Sequence, residues 1–319
     1  MRLRKKPQTI VVALGGNALQ KQNDASAQAQ QQVARETARQ LAFLVKAGYR
    51  LAIVHGNGPQ VGNIVLHEAA LNTPQSPTIP LDSCGAMSQG EIGYWLQQAL
   101  QNEFAAQGIK QRVATIVTQT VVDENDIAFE NPTKPIGPFY PDELAAEAAA
   151  TAGGFTVKED SGRGWRRVVA SPKPLDIVES DFIQSSITNG NIVIAVGGGG
   201  IPVVKRGNEI AGIEAVIDKD SSAEKLAELI GANILLILTQ VDEVTINFRQ
   251  PNETPIAAIS ATDMQLYVDT GQFAPGSMLP KVQAAIAFAR AARGNCSIIT
   301  SPANALAAIK GDAGTRVTA

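Results

Sequence analysis

Three lysines in this 319-residue sequence stand beside residues that stiffen or polarise the backbone, an arrangement suited to holding a phosphoryl group. Lys134 lies in NPTKPIGP, flanked by Pro132, Pro135 and Pro138, whose restricted φ would present the ammonium from a stiff loop. Lys219 lies in AVIDKDSSAEKLAELIGA, where Ser221 and Glu224 have capping-box spacing, so the lysine falls just ahead of a helix N-terminus. Lys281 lies in PGSMLPKVQAAIAFARAA, with Pro280 as first helical residue and a glycine-containing loop before it. Phosphoryl transfer asks a protein mainly for alignment and charge neutralisation, which such lysines supply. Asp218 and Asp220 flank Lys219; a carboxylate beside a phosphate repels it unless it organises the lysines or holds a metal.

Three glycine clusters follow apolar, strand-like runs: Gly15 and Gly16 with Asn17, then Gly56 and Gly58 around Asn57, then Gly197 to Gly200. In an open parallel sheet ligands bind beyond the carboxyl ends of the strands, where glycine lets backbone N–H groups approach an anion. Three such loops converging on one crevice point to a phosphate or carboxylate. There is no GxxxxGK[ST], and HGNGPQVG lacks the dinucleotide spacing, so P-loop and hydride chemistry lack support. The two histidines, His55 and His67, cannot make a zinc site by themselves, and HExxH and GxSxG are absent. His55 reads as a packed, hydrogen-bonded residue at a strand end. Asp242 and Glu243 fall in a loop at the same crevice edge.

The elements that must position these groups are legible. TIVVAL, RLAIVHG, VATIVTQ, NIVIAVGGGG, ILLILTQ and CSIIT read as strands, separated by helical periodicity over Ser26–Ala47 and Ser83–Gln107. Gly90 and Gly93 inside the second helix signal close packing. Alternation of strand and helix predicts an α/β three-layer αβα sandwich, with an open, mainly parallel sheet. The whole chain, 1–319, reads as one domain, and its 45% apolar content is ample for a core. Residues 125–174 break the rhythm with Pro, Gly and charge, then an alanine-rich helix, then a hairpin-like segment; they read as an inserted lid. A net charge of −3 with scattered cations predicts no nucleic-acid or membrane partner. No apolar run reaches membrane-span length, and two distant cysteines, Cys84 and Cys296, suit a reducing cytoplasm.

Together these motifs resemble the carbamate kinases of the amino-acid-kinase fold family. VVALGGNA, HGNGPQVGN, PLDSCGAMSQGEIGYWL, NPTKPIGPF, KEDSGRGWRRVV, GGGGIPVV, EAVIDKD, FAPGSMLPK and IITSP follow the family's order over nearly the whole chain. NPTKPIG and RGWRRVV belong to the protruding lid that sets that family apart from its relatives. The resemblance implies a cytoplasmic homodimer that interconverts ATP and carbamate with ADP and carbamoyl phosphate, using Mg²⁺. Arginine-fermenting members run it toward ATP, and others serve purine or other nitrogen catabolism. By matching positions, Lys134, Lys219 and Lys281 neutralise the transferred group and Asp220 holds the lysines. Gly15, Gly16, Asn17, Gly56, Asn57, Gly58, Gly198 and Gly199 line the substrate crevice. Asp218 and the segments carrying Val241, Asp242, Val244, Ala274, Pro275 and Met278 take the nucleotide. No residue is implied as a direct protein ligand of a metal. One departure is Val54, where members often carry Ser or Thr, so a hydroxyl's hydrogen bond is missing there. The residues alone leave two further readings open: a kinase of another carboxylate or phosphate, and a non-catalytic nucleotide-binding regulator.

Overall fold

The computed structural model describes residues 7–16, 26–160 and 164–319. β1 (Thr9–Leu14), α1 (Ala27–Lys46) and β2 (Arg50–His55) lead to α2 (Gly58–Ala70) and α3 (Leu81–Gln107). β3 (Val113–Thr115), β4 (Gln119–Val121), β5 (Lys134–Tyr140), α4 (Glu143–Gly153), β6 (Thr156–Glu159) and β7 (Trp165–Val169) follow. Next come β8 (Asp176–Ile177), α5 (Ser180–Thr188), β9 (Ile192–Ile194), β10 (Ile201–Arg206), β11 (Glu209–Gly212), α6 (Lys219–Leu229) and β12 (Ile234–Leu238). The chain ends with β13 (Val244–Ile246), β14 (Thr254–Ile256), β15 (Ala258–Ser260), α7 (Ala261–Asp269), α8 (Met278–Ala291), β16 (Cys296–Thr300), α9 (Ala305–Lys310) and β17 (Thr315–Thr318).

Among the described residues eight strands form the central sheet in the order β15-β17-β16-β12-β1-β2-β9-β3, parallel except where β16 meets β17. Strand alternation divides its apolar side chains between two cores. Ile10, Val12 and Leu14 of β1 pack with Leu41 of α1, Leu96 of α3 and Ala308 of α9. Val11 and Ala13 face the other way, toward Ile183 of α5, Leu226 of α6 and Phe288 of α8. The result is the expected three-layer sandwich. Val54 is fully buried in that second core, where a methyl is at home and a hydroxyl would need a partner.

Smaller sheets carry the rest: β11-β10-β4-β8, β13-β14 and β5-β7-β6. The last, with α4, occupies the segment read as a lid. Val61 of α2, Leu81 and Cys84 of α3, Ile136 of β5 and Val169 of β7 form the apolar patch between it and the helices. Gly62 of α2 makes the approach close, because a Cβ there would lie 2.9 Å from the Cα of Gly137.

Four local expectations are corrected. VATIVTQ is not one strand but β3 and β4 in different sheets, because Gln89 takes Thr118 out of the ladder. Its Nε2 donates to the Thr118 carbonyl (3.0 Å) and its Oε1 accepts the Thr118 N–H (2.8 Å). Lys134 is not in a loop; it opens β5, an edge strand, where Pro135 is tolerated because no ladder donor is required on its free side. The cap of α6 is Asp218, not Ser221, since its carboxylate accepts the N–H groups of Asp220 (2.9 Å) and Ser221 (3.4 Å). The helix around Lys281 starts at Met278, which puts Pro280 third, still among the N–H groups that have no intrahelical partner. Gly93 fits close packing, its Cβ position colliding with Thr115, whereas nothing approaches Gly90 within 4 Å.

Candidate functional site

The sheet register levels the strand ends: Leu14 pairs with His55 and with Leu238, and Leu238 with Thr300. The loops leaving β1, β2 and β12 therefore open on one side of the sheet. Beyond β1 and β2 lies a cavity of about 290 Å³ that gathers Lys134, Lys219, Lys281, Asp218 and Asp220 with Gly16, Gly56, Asn57, Gly58 and Gly198. β5 supplies the first lysine, α6 the second and α8 the third.

Their charges are interlocked. Lys134 Nζ donates to Asp218 Oδ2 at 2.8 Å. Asp220, 2% exposed, takes Lys219 on Oδ1 and Lys281 on Oδ2, the latter at 3.1 Å. Lys281 also donates to the Ser277 carbonyl at 3.2 Å. Burial pushes the Asp218 carboxyl up. The Lys134 and Lys219 ammonium groups and the Asp220 N–H outweigh it and hold it well below the carboxylate range. Burial pushes Lys219 down, and Lys281 adds to that, while Asp220 pulls back; the net direction is downward. Three ammonium groups against two carboxylates leave a surplus positive charge that an anionic ligand neutralises.

Backbone donors add to it. The N-termini of α2, at Asn57, and of α8, at Ser277, have no side-chain cap. The N–H groups of Gly58 and Gln60, residues that line the cavity, are left for an anion at the start of α2, whereas in α8 the Leu279 N–H is donated to the Ala274 carbonyl at 3.2 Å and Pro280 has none. The Asn57 side chain makes no capping bond; its Nδ2 donates to Ser88 Oγ at 2.8 Å.

The glycines have more than one task. Among the described residues Gly16 and Gly58 have no neighbour within 4 Å of a Cβ position, and both front the cavity. Gly56 makes room for the Lys219 stem, whose Cδ lies 3.3 Å from that position; Gly15 does not line the cavity, and a Cβ there would lie 3.0 Å from the Leu238 carbonyl oxygen. The Gly197–Gly200 run serves packing. A Cβ at Gly198 meets the Asn57 side chain, one at Gly199 the Ile217 carbonyl, and both residues have positive φ (66° and 95°). Of this run only Gly198 reaches the cavity; Gly199 does not line it. Asn17 lies outside the described residues. His55 is 1% exposed and its Nδ1 shares a 2.8 Å hydrogen bond with the Gly56 carbonyl, a packed residue as read from the sequence.

A second, larger cavity of about 660 Å³ opens beyond β12. Val241, Ala274 and Met278 line it, as do Asn247, Phe248 and Arg249. Arg249 stacks on the Phe248 ring at 5.2 Å. Val244 does not reach it: the side chain is fully buried in the core and cannot meet a nucleotide. Asp242 and Pro275 are exposed residues outside the lining, and the Asp242 carbonyl accepts from Thr300 Oγ1 at 3.0 Å. Sequence reasoning passed over Phe248; an aromatic inside the polar turn NFRQPN is the signal that marks it. Ser277 and Met278 line the larger cavity, and Gly276 and Lys281 the smaller, so one segment walls both. Among the described residues no cluster of three or more His, Cys, Asp or Glu side chains forms a metal cage.

Residues 8–300 match the model of the amino acid kinase family. The chain is 53% identical over 303 residues to carbamate kinase 1 of Enterococcus faecium, covering 95% of this chain and 96% of that one. It is 50% identical over 309 residues to a carbamate kinase of Latilactobacillus sakei, covering 97% and 98% of the two chains. Its structure is similar to that of a carbamate kinase from Giardia lamblia bound to AMP-PNP, with TM-score 0.90, 43% identity and 98% of each chain covered.

Proposed function

The chain belongs to the amino acid kinase family and, within it, to the carbamate kinases, and from that premise we propose how its residues carry out ATP + carbamate ⇌ ADP + carbamoyl phosphate. The observation that supports the assignment of roles is the convergence of Lys134, Lys219 and Lys281 on Asp218 and Asp220 in one cavity. In the direction of ATP synthesis the bond from phosphorus to the carbamoyl oxygen breaks, and one to the terminal oxygen of ADP forms. Carbamate departs as an anion, so no general base is needed. The chain's work is to place donor and acceptor in line and to neutralise equatorial oxygens, which the lysines and the open N-terminus of α2 do.

Carbamoyl phosphate occupies the smaller cavity and the nucleotide the larger. The wall from Gly276 to Lys281 puts an ammonium where the two phosphates meet. Asp220 acts as a positioning residue, holding Lys219 and Lys281 apart and aimed. Mg²⁺, when bound with the nucleotide, would supply further neutralisation of phosphate charge. The residues fit a cation carried on the nucleotide's phosphates, because Asp218 and Asp220 are already engaged by ammonium groups. The sheet β5-β7-β6 with α4, within residues 125–174 of the single domain 1–319, serves as a lid that brings Lys134 to the substrate. We assign the enzyme to the cytoplasm, as a homodimer making ATP in arginine or other nitrogen catabolism. Two buried, unpaired cysteines suit that compartment.

Coupled ATP formation from carbamoyl phosphate and ADP tests the reading. Wild-type turnover is expected, with kcat at least ~100-fold lower in each of Lys134→Ala, Lys219→Ala and Lys281→Ala. No ATP from the wild type overturns the activity; near-normal rates in all three variants overturn the mechanism.

A further inference from the structure

Gln89 lies within α3, 1% exposed, and spends both ends of its amide on the backbone of other segments. Two of its bonds are those that pin Thr118. The third runs from Nε2 to the Gly197 carbonyl at 3.1 Å. The Thr118 pair answers to the fold, because it satisfies the N–H and carbonyl that leave the ladder between β3 and β4. The third bond does not, since the Gly197 carbonyl already accepts the Gly200 N–H at 3.0 Å. A second donor on a paired carbonyl adds direction where satisfaction is already complete.

The turn it grips is strained. Val196, just before it, is fully buried with φ 55° and ψ 34°, a left-handed conformation that a β-branched residue resists. Such backbone persists only where its surroundings over-determine it. Two anchors do so here: Thr118 Oγ1 accepts the Val196 N–H at 3.0 Å, and Gln89 holds the Gly197 carbonyl. Gly197 itself is packed between the His55 ring and Gln89, whose Cγ lies 3.0 Å from its Cβ position. What the anchors fix is a wall of the smaller cavity. Gly198 lines it and rests directly on the side chain of Asn57, another lining residue and the first of α2. Asn57 is tied in turn to Ser88, the neighbour of Gln89 on α3. Adjacent residues of one helix therefore hold two walls at the place where they touch.

We propose that Gln89 is a positioning residue for the reaction: through the Gly197 carbonyl it holds the strained turn so that Gly198 seats Asn57, and with it the open N-terminus of α2, against carbamoyl phosphate. The inference rests on the carbamate kinase reading and names a residue outside the cavity that shapes its carbamoyl phosphate half. Without the bond Val196 relaxes toward an unstrained backbone, Gly197 and Gly198 follow it, and the wall shifts. The nucleotide cavity keeps its shape, because none of these residues lines it.

The test measures Tm, AMP-PNP affinity and ATP formation from carbamoyl phosphate and ADP in full-length wild type, Gln89→Met, Thr118→Val and Leu100→Ala. Gln89→Met removes the amide at similar volume, and Thr118→Val removes the other anchor at similar shape. Leu100, fully buried toward the far end of α3, controls for stability alone. Gln89→Met is expected to lower kcat/KM for carbamoyl phosphate by about ten- to a hundred-fold while the AMP-PNP Kd stays within about two-fold of wild type. Thr118→Val is expected to give the same split, and Leu100→Ala to lower Tm with both constants kept. Wild-type kinetics in Gln89→Met and Thr118→Val overturn the proposal. So does a loss of AMP-PNP affinity as steep as that of carbamoyl phosphate turnover, or the same kinetic loss in Leu100→Ala, since either marks a merely structural role. If Gln89→Met fails to fold, Thr118→Val decides by itself. A wild type that makes no ATP overturns the underlying activity instead, a distinct result.

Discussion

His55 shows how a single buried residue near the site sets a condition on the whole protein. Burial pushes its pKa down to about 4, with the Gly56 hydrogen bond pulling part of the way back. The unfolded histidine titrates near 6.5, so between about pH 6.5 and 4 the unfolded chain holds a proton that the folded one refuses. Stability contributed by neutral His55 is complete above that window and lost as pH falls through it, by about 1.4 kcal/mol per unit and on the order of 3 kcal/mol in all. Unfolding free energies from urea titrations at pH 7 and pH 4.5 are expected to separate less in His55→Gln than in wild type, by about 2 kcal/mol. Equal separations would place the acid sensitivity elsewhere. At the same scale, the residue types of the site were readable in advance. Lys134, Lys219 and Lys281 stand out by their neighbours in sequence, whereas the pairing of Lys134 with Asp218 does not, because its two groups stand 84 positions apart and meet only in the fold.

Elements decide whether those residues meet. α2 and β5 touch where Gly62 faces Gly137, whose φ of 70° and position within the register shift of β5 against β7 shape the strand. Arg166 holds that bend from β7, its Nε and Nη2 donating to the Gly137 carbonyl at 3.0 and 2.7 Å. A methyl on Gly62 lands against backbone, which cannot swing aside as a side chain does. Gly62→Ala is therefore expected to destabilise by about 1–3 kcal/mol. It is also expected to lower kcat by displacing Lys134, the residue that opens β5. Thermal unfolding with steady-state kinetics checks both, and an unchanged kcat would uncouple β5 placement from catalysis. The helices and buried strands were legible from periodicity. The breaks were not: Gln89 splitting VATIVTQ and Asp218 capping α6 are side-chain bonds that compete with the expected pattern.

Over the whole molecule, the sheet β5-β7-β6 rests on α2 and α3 through a small apolar patch, and Lys134–Asp218 ties it across the crevice. A unit so attached opens more readily than the central sheet. Hydrogen exchange of residues 134–140 and 165–169 is expected to slow about five-fold with AMP-PNP bound and to quicken in Asp218→Asn. Exchange that ignores both changes would contradict a closing lid. Sequence by itself determined most strands of the central sheet and the long helices α1 and α3, the parallel three-layer architecture, and which lysines, carboxylates and glycine loops to watch, because periodicity and turn chemistry act over a few residues. Only tertiary structure decided that Asp220 bridges Lys219 and Lys281, that Gly197–Gly200 is a packing run with Gly198 alone at the cavity, and that Val244 belongs to the core. Those outcomes depend on sheet register and on which side chains are pressed together from distant parts of the chain, and local sequence pattern carries no information about either.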